Sequence, residues 1–124
     1  MKYEFMDKAK ENLAAAEICF ENRLYNASAN RAYYAAYHAA ISALADRGIK
    51  KEKLDHKWVQ AEFSGRLIKR SKVYPAKVKS FLMDMQNIRN DADYEMHKVG
   101  KNAARKQLAM AREIIILVVK ELEK

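Results

Sequence analysis

The sequence predicts an all-α protein, an up-and-down antiparallel bundle of four to five helices forming one domain over residues 1–124. Three observations carry that expectation. Apolar residues recur at three- and four-residue spacing along nearly the whole chain. No alternating run bounded by turn residues announces a β-hairpin. Three Gly and one Pro among 124 residues leave little punctuation for a second domain. Half of the residues are hydrophobic, and a chain of this size can bury roughly two-thirds of its unfolded surface without help from disulfides or metal.

The first helix is expected over Tyr3 to Asn22, on Met6, Ala9, Leu13, Ala16 and Phe20. After a break at Arg23 to Asn26, an Ala- and Tyr-rich second helix runs from Ala27 to Arg47 and stops at Gly48, the residue that a helix C-terminus prefers. Ile49 to Lys53 reads as a loop. Asp55 is placed to cap a third helix with Trp58, Val59, Phe63 and Leu67 on its apolar side, made irregular by Gly65. Pro75 suits the first turn of a fourth helix, whose apolar face is Val78, Phe81, Leu82, Met85, Ile88 and Ala92. Gly100 closes the following segment, and a fifth helix spans about Lys101 to Lys124 on Leu108, Ala111, Ile115, Val118 and Leu122. Ile114 to Val119 is apolar around more than one face, which suggests burial against a second subunit, hence a homodimer, or a central position in the bundle.

Charge narrows the function classes. Lys and Arg number 24 against 16 Asp and Glu, a net +8. Eleven basic and three acidic residues fall between Arg47 and Lys79, so this stretch alone carries the whole excess. The field of Lys50, Lys51, Lys53, Lys57, Arg66, Lys69, Arg70 and Lys72 favours a polyanion, nucleic acid above all, or an acidic partner. A lone cysteine, Cys19, gives neither an intramolecular disulfide nor a thiolate cluster, and the longest apolar run is far shorter than a membrane span. The expectation is a cytoplasmic protein without membrane contact.

On the second helix Arg31, Tyr34 and His38 share one stripe, with Arg31 and His38 about 10 Å apart along the axis. One reading is structural: Arg31 is buried and donates a bidentate bond to Asp91 or Asp93 across the bundle, a polar network that fixes register. The other is chemical. Arg89, Asn90 and a nearby histidine can hold a phosphate while imidazole moves a 2′-hydroxyl proton, with no metal required. His38, His56 and His97 lack the spacing of a zinc site, so no metal or cofactor is expected. His97 lies eight residues beyond Arg89, so pairing the two requires the helix to end near Tyr94. His56, directly after the cap residue, reads as a group that packs or hydrogen-bonds at a helix start.

The segments Ala29-Asn30-Arg31-Ala32-Tyr33-Tyr34-Ala35-Ala36-Tyr37-His38-Ala39-Ala40 and Arg89-Asn90-Asp91-Ala92-Asp93-Tyr94 resemble those of HEPN domains (higher eukaryotes and prokaryotes nucleotide-binding), in particular the small stand-alone prokaryotic group. The resemblance covers nearly the whole chain. It implies a helical bundle, often dimeric, related to the substrate-binding subunits of small nucleotidyltransferases and common in toxin–antitoxin and other defence systems. Active HEPN ribonucleases carry Arg, a polar residue and then His after four to six intervening positions. Here Arg89 and Asn90 match, seven residues separate Arg89 from His97, and Tyr94 stands within the interval.

Three functions follow. The first is a nucleotide- or RNA-binding accessory module that works with a nucleotidyltransferase-type partner. The second is a metal-independent toxin ribonuclease, with Arg89 binding phosphate, Asn90 orienting it and His97 or His38 as the acid and base. The third is an interaction protein whose basic surface binds an acidic antitoxin.

Overall fold

The computed structural model describes residues 1–94 and 99–124, with the side chains of 92–94 outside the description. Five α-helices, α1 (Lys2–Glu21), α2 (Tyr25–Asp46), α3 (His56–Glu62), α4 (Phe81–Tyr94) and α5 (Lys101–Leu122), account for most of the described residues, and none of these is in a strand. The all-α bundle that the periodicity predicts is present.

Inter-helix bonds give the topology. Ser28 bonds the carbonyl of Ala16 and Ser42 that of Lys2, while Lys2 pairs with Asp46, so α1 and α2 form an antiparallel hairpin. Arg89 lies over Tyr33 and Tyr34 while the amide of Val99 donates to Asn26 nearer the start of α2, so the chain through α4 runs against α2. Gln107 donates to Ala29 and Arg47 reaches Glu121, so α5 runs alongside α2 and against α1. Successive long helices therefore alternate in direction.

α2 is the central member, and its composition shows why. Ala29, Ala32, Ala35, Ala36, Ala39 and Ala40 are fully buried, as are Ala9 and Ala16 of α1, so the helices approach with little side chain between them. Both turns out of these helices use the same device. After α2, Gly48 (φ 75°) lets the Ile49 amide reach back to the Leu44 carbonyl at 2.9 Å. After α1, Arg23 adopts the same left-handed conformation (φ 63°) and Leu24 bonds Cys19 at 2.8 Å.

Asp55 caps α3 as the sequence predicts, its carboxylate accepting from the Trp58 amide at 2.8 Å. That bond, with Lys51 nearby, holds the carboxyl below its ordinary pKa. The irregularity expected around Gly65 takes a definite form: Phe63–Arg70 continues α3 as a wider π-helix, ended where both the amide and the hydroxyl of Ser71 bond the Arg66 carbonyl. The fourth helix differs from expectation. Pro75 precedes only the short 3₁₀ turn Ala76–Val78, and α4 proper begins at Phe81.

Of the two expectations for the apolar run of α5, the central position accounts for most of it. Ile114, Ile115 and Val118 are buried within this chain, Leu117 and Val119 are half-buried against the same core, and only Ile116 is strongly exposed, at 55%. Neighbouring helices supply the burial that the run requires, so it gives no reason by itself for a second subunit. No helix among the described residues is long and apolar enough to cross a membrane.

Candidate functional site

The stripe read from α2 exists as a surface. Tyr34 is half-buried at its centre, with the guanidinium of Arg31 5.6 Å from its ring centroid and the His38 ring 6.2 Å away. Across the bundle, Arg89 of α4 places its guanidinium 5.2 Å from the same ring and 5.8 Å from that of Tyr33. Two guanidiniums thus share one tyrosine ring, an arrangement that the π-system favours.

Arg31 does not take the buried position expected of it. It is exposed, donating to the side-chain oxygens of Asn30 at 3.1 Å and Asn12 at 3.3 Å, and Asp91 is exposed as well. An arginine at the start of this stripe can keep its head in water, so burial in a carboxylate network is not needed. The large stability loss that a stranded buried carboxylate would bring on Arg31→Ala accordingly does not follow. Asn12, which nothing in its local sequence marks, ties the face together. Its amide nitrogen donates to the Lys8 carbonyl at 3.0 Å and to Nδ1 of His38 at 3.2 Å. His38 is therefore a neutral imidazole protonated on Nε2.

His56 joins this face from the start of α3. The Tyr33 hydroxyl and its Nδ1 share a hydrogen bond at 2.6 Å, and its ring lies 4.6 Å from that of Tyr37 and 6.1 Å from that of Tyr34. The hydrogen bond expected for His56 is formed, and through it a second imidazole is oriented beside Arg89. Sequence spacing could not reveal this, because His56 and Arg89 sit on different helices and meet only across α2. Asn90 is half-buried and accepts from Arg89 at 3.5 Å. The side chains of Asp93 and Tyr94, and all of His97, lie outside the described residues.

Burial lowers the pKa of His38, helped by Lys8 and Arg31; it lowers that of His56 too, helped by Arg89 and partly opposed by Asp55. Burial also pushes the Tyr33 phenol up to about 12, so it stays a donor. Both imidazoles are expected to titrate below the ordinary value of about 6.5. Because the unfolded chain then takes up these protons first, the stability they contribute is complete above about pH 6.5 and is lost as the pH falls through the lowered folded values. A histidine NMR titration reads both directly; a value at or above about 6.5 for either ring contradicts the arrangement.

The basic field is open to solvent. Lys50, Lys51, Lys53, Lys57, Arg66, Lys69, Arg70 and Lys72 are all exposed. Lys51 pairs with Asp55 at 3.7 Å and Arg66 with Glu62 at 3.4 Å. Among the described residues no group of three or more His, Cys, Asp or Glu is placed to hold a metal ion.

Comparison with known proteins agrees with the motifs. The HEPN domain model matches residues 3–122. A segment of 45 residues is 47% identical to a candidate toxin of Methanocaldococcus jannaschii, covering 36% of this chain and about a third (34%) of that protein. Since the family match takes in all five helices and both tyrosine-bearing segments, this chain belongs to the HEPN domain family.

Proposed function

We propose that this chain is an RNA- or nucleotide-binding HEPN module of a toxin–antitoxin pair, acting with a nucleotidyltransferase-type partner, and that its phosphate seat is the Arg31, Tyr34 and Arg89 face. One observation carries the reading: two guanidiniums converge on one tyrosine ring, beside two imidazoles whose pKa values burial lowers. Guanidinium forks match phosphate oxygens, and the surrounding rings offer stacking area to a base. The toxin description of the similar protein from Methanocaldococcus jannaschii supports the setting. Fluorescence anisotropy of labelled single-stranded RNA across salt concentrations tests it. The logarithm of the affinity is expected to fall with that of salt by about 0.7 for each phosphate held. A flat response removes the reading.

A second reading, a metal-independent ribonuclease, is favoured by the Tyr33–His56 bond. That bond orients an imidazole, whose pKa burial and Arg89 lower, next to a phosphate-binding arginine. In this reading a histidine takes the 2′-hydroxyl proton as the 2′-oxygen attacks phosphorus, the bond from phosphorus to the 5′-oxygen breaks, and the leaving oxygen takes up a proton from imidazolium or water, with Arg89 holding the phosphate charge. Cleavage in EDTA that survives in His56→Ala excludes His56 from the role; absence of cleavage alongside RNA binding leaves the accessory module.

A further inference from the structure

Between the π-helical segment and the start of α4 lies a groove of about 730 Å³, lined among others by Lys57, Gln60, Ser64, Lys69, Lys79 and Met83. None of its lining residues is acidic. A neighbouring cleft of about 390 Å³ shares Lys69 and Lys79 and adds Lys72. Of the nearby acids, Glu62 takes Arg66 and Glu113 takes Lys77, while Asp84 is exposed next to Met83. Lys69 and Lys79 approach closely enough for the first to push the pKa of the second below the ordinary lysine value. Such like-charge crowding is unfavourable by itself and is relieved by an anion between the two ammonium groups.

The groove also has an apolar wall. Met83 is 60% exposed there and Leu82 lies beside it, while a Cβ at Gly65 would meet nothing within 4 Å, so the floor is open. Its near end adjoins the Arg89 face. Gln60 reaches the Tyr33 hydroxyl and donates to Gln86, which stands three residues, just under one turn, before Arg89 on α4, and Lys57 directly follows His56. Four lysines across two adjoining clefts are more charge than one phosphate requires, which favours a strand over a mononucleotide.

We infer that this groove is a second phosphate seat, in which Lys57, Lys69 and Lys79 hold the backbone of an RNA strand continuing from the Arg89 face. The inference rests on the RNA-binding reading above. The test is anisotropy with single-stranded RNAs of about 4 and about 16 nucleotides, using wild type, Arg89→Ala and the double variant Lys69→Ala/Lys79→Ala. Both lysines are exposed, so the double variant is expected to fold, with circular dichroism as the check. It should bind the long RNA about tenfold more weakly, with a salt slope shallower by about 1.4, while its affinity for the short RNA stays at the wild-type value. Wild-type affinity and slope on the long RNA overturn the groove alone, provided Arg89→Ala weakens both lengths. A wild type that binds neither RNA overturns both readings.

Discussion

Arg89→Ala is expected to weaken RNA binding by about a hundredfold, since a hydrogen bond between a charged group and a partly desolvated phosphate contributes up to about 3 kcal/mol. The side chain is half-buried, and its plane is held by two tyrosine rings, so little entropy is lost when it meets an anion. Arg89→Lys keeps the charge but loses the fork and the stacked plane, and should recover only part of the affinity. A circular dichroism spectrum and melting curve for each variant separate loss of binding from loss of fold. An Arg89→Ala protein that folds and binds as wild type would move the phosphate seat elsewhere.

Phe63→Ala should bring the largest stability change, a loss of about 3 to 5 kcal/mol. Phe63 is 1% exposed at the junction where α3 becomes the π-helix, and its ring packs 5.4 Å from that of Tyr74, itself buried. Truncation empties a cavity that its neighbours can fill only in part, and it removes the anchor of a segment whose widened turns make poorer hydrogen bonds than an α-helix. Against a total stability of about 5 to 15 kcal/mol, the change should be evident in denaturant unfolding. Phe63→Leu, closer in volume, should cost less than Phe63→Ala. A midpoint unchanged by the alanine variant would show that the junction carries little of the fold.

The bundle was legible because its determinants are local. Helical spacing, the Gly48 stop and the Asp55 cap each act within one or two turns, and all three are present in the structure. The start of α4 was less legible because Pro75 is compatible with any right-handed turn, and here it precedes a 3₁₀ turn. The face on α2 could be read in part: Arg31, Tyr34 and His38 needed only the pitch of one helix. Asn12 and His56 could not, because their roles depend on where α1 and α3 cross α2, and packing sets those crossings. Burial of Arg31 failed as an expectation for the same reason, since spacing places a residue on a stripe but does not say whether the stripe is covered.

The close seam between α1 and α2 has a kinetic consequence. Ser28 and Ser42 of α2 bond the α1 backbone directly, at Ala16 and Lys2, so the register of the two helices is fixed and the positions of Asn12 and His38 follow from it. A face built on such a seam is already in its binding geometry before a ligand arrives. Encounter with a polyanion is then governed by long-range attraction to the basic surface rather than by a conformational step, which places selectivity in how long the complex lasts.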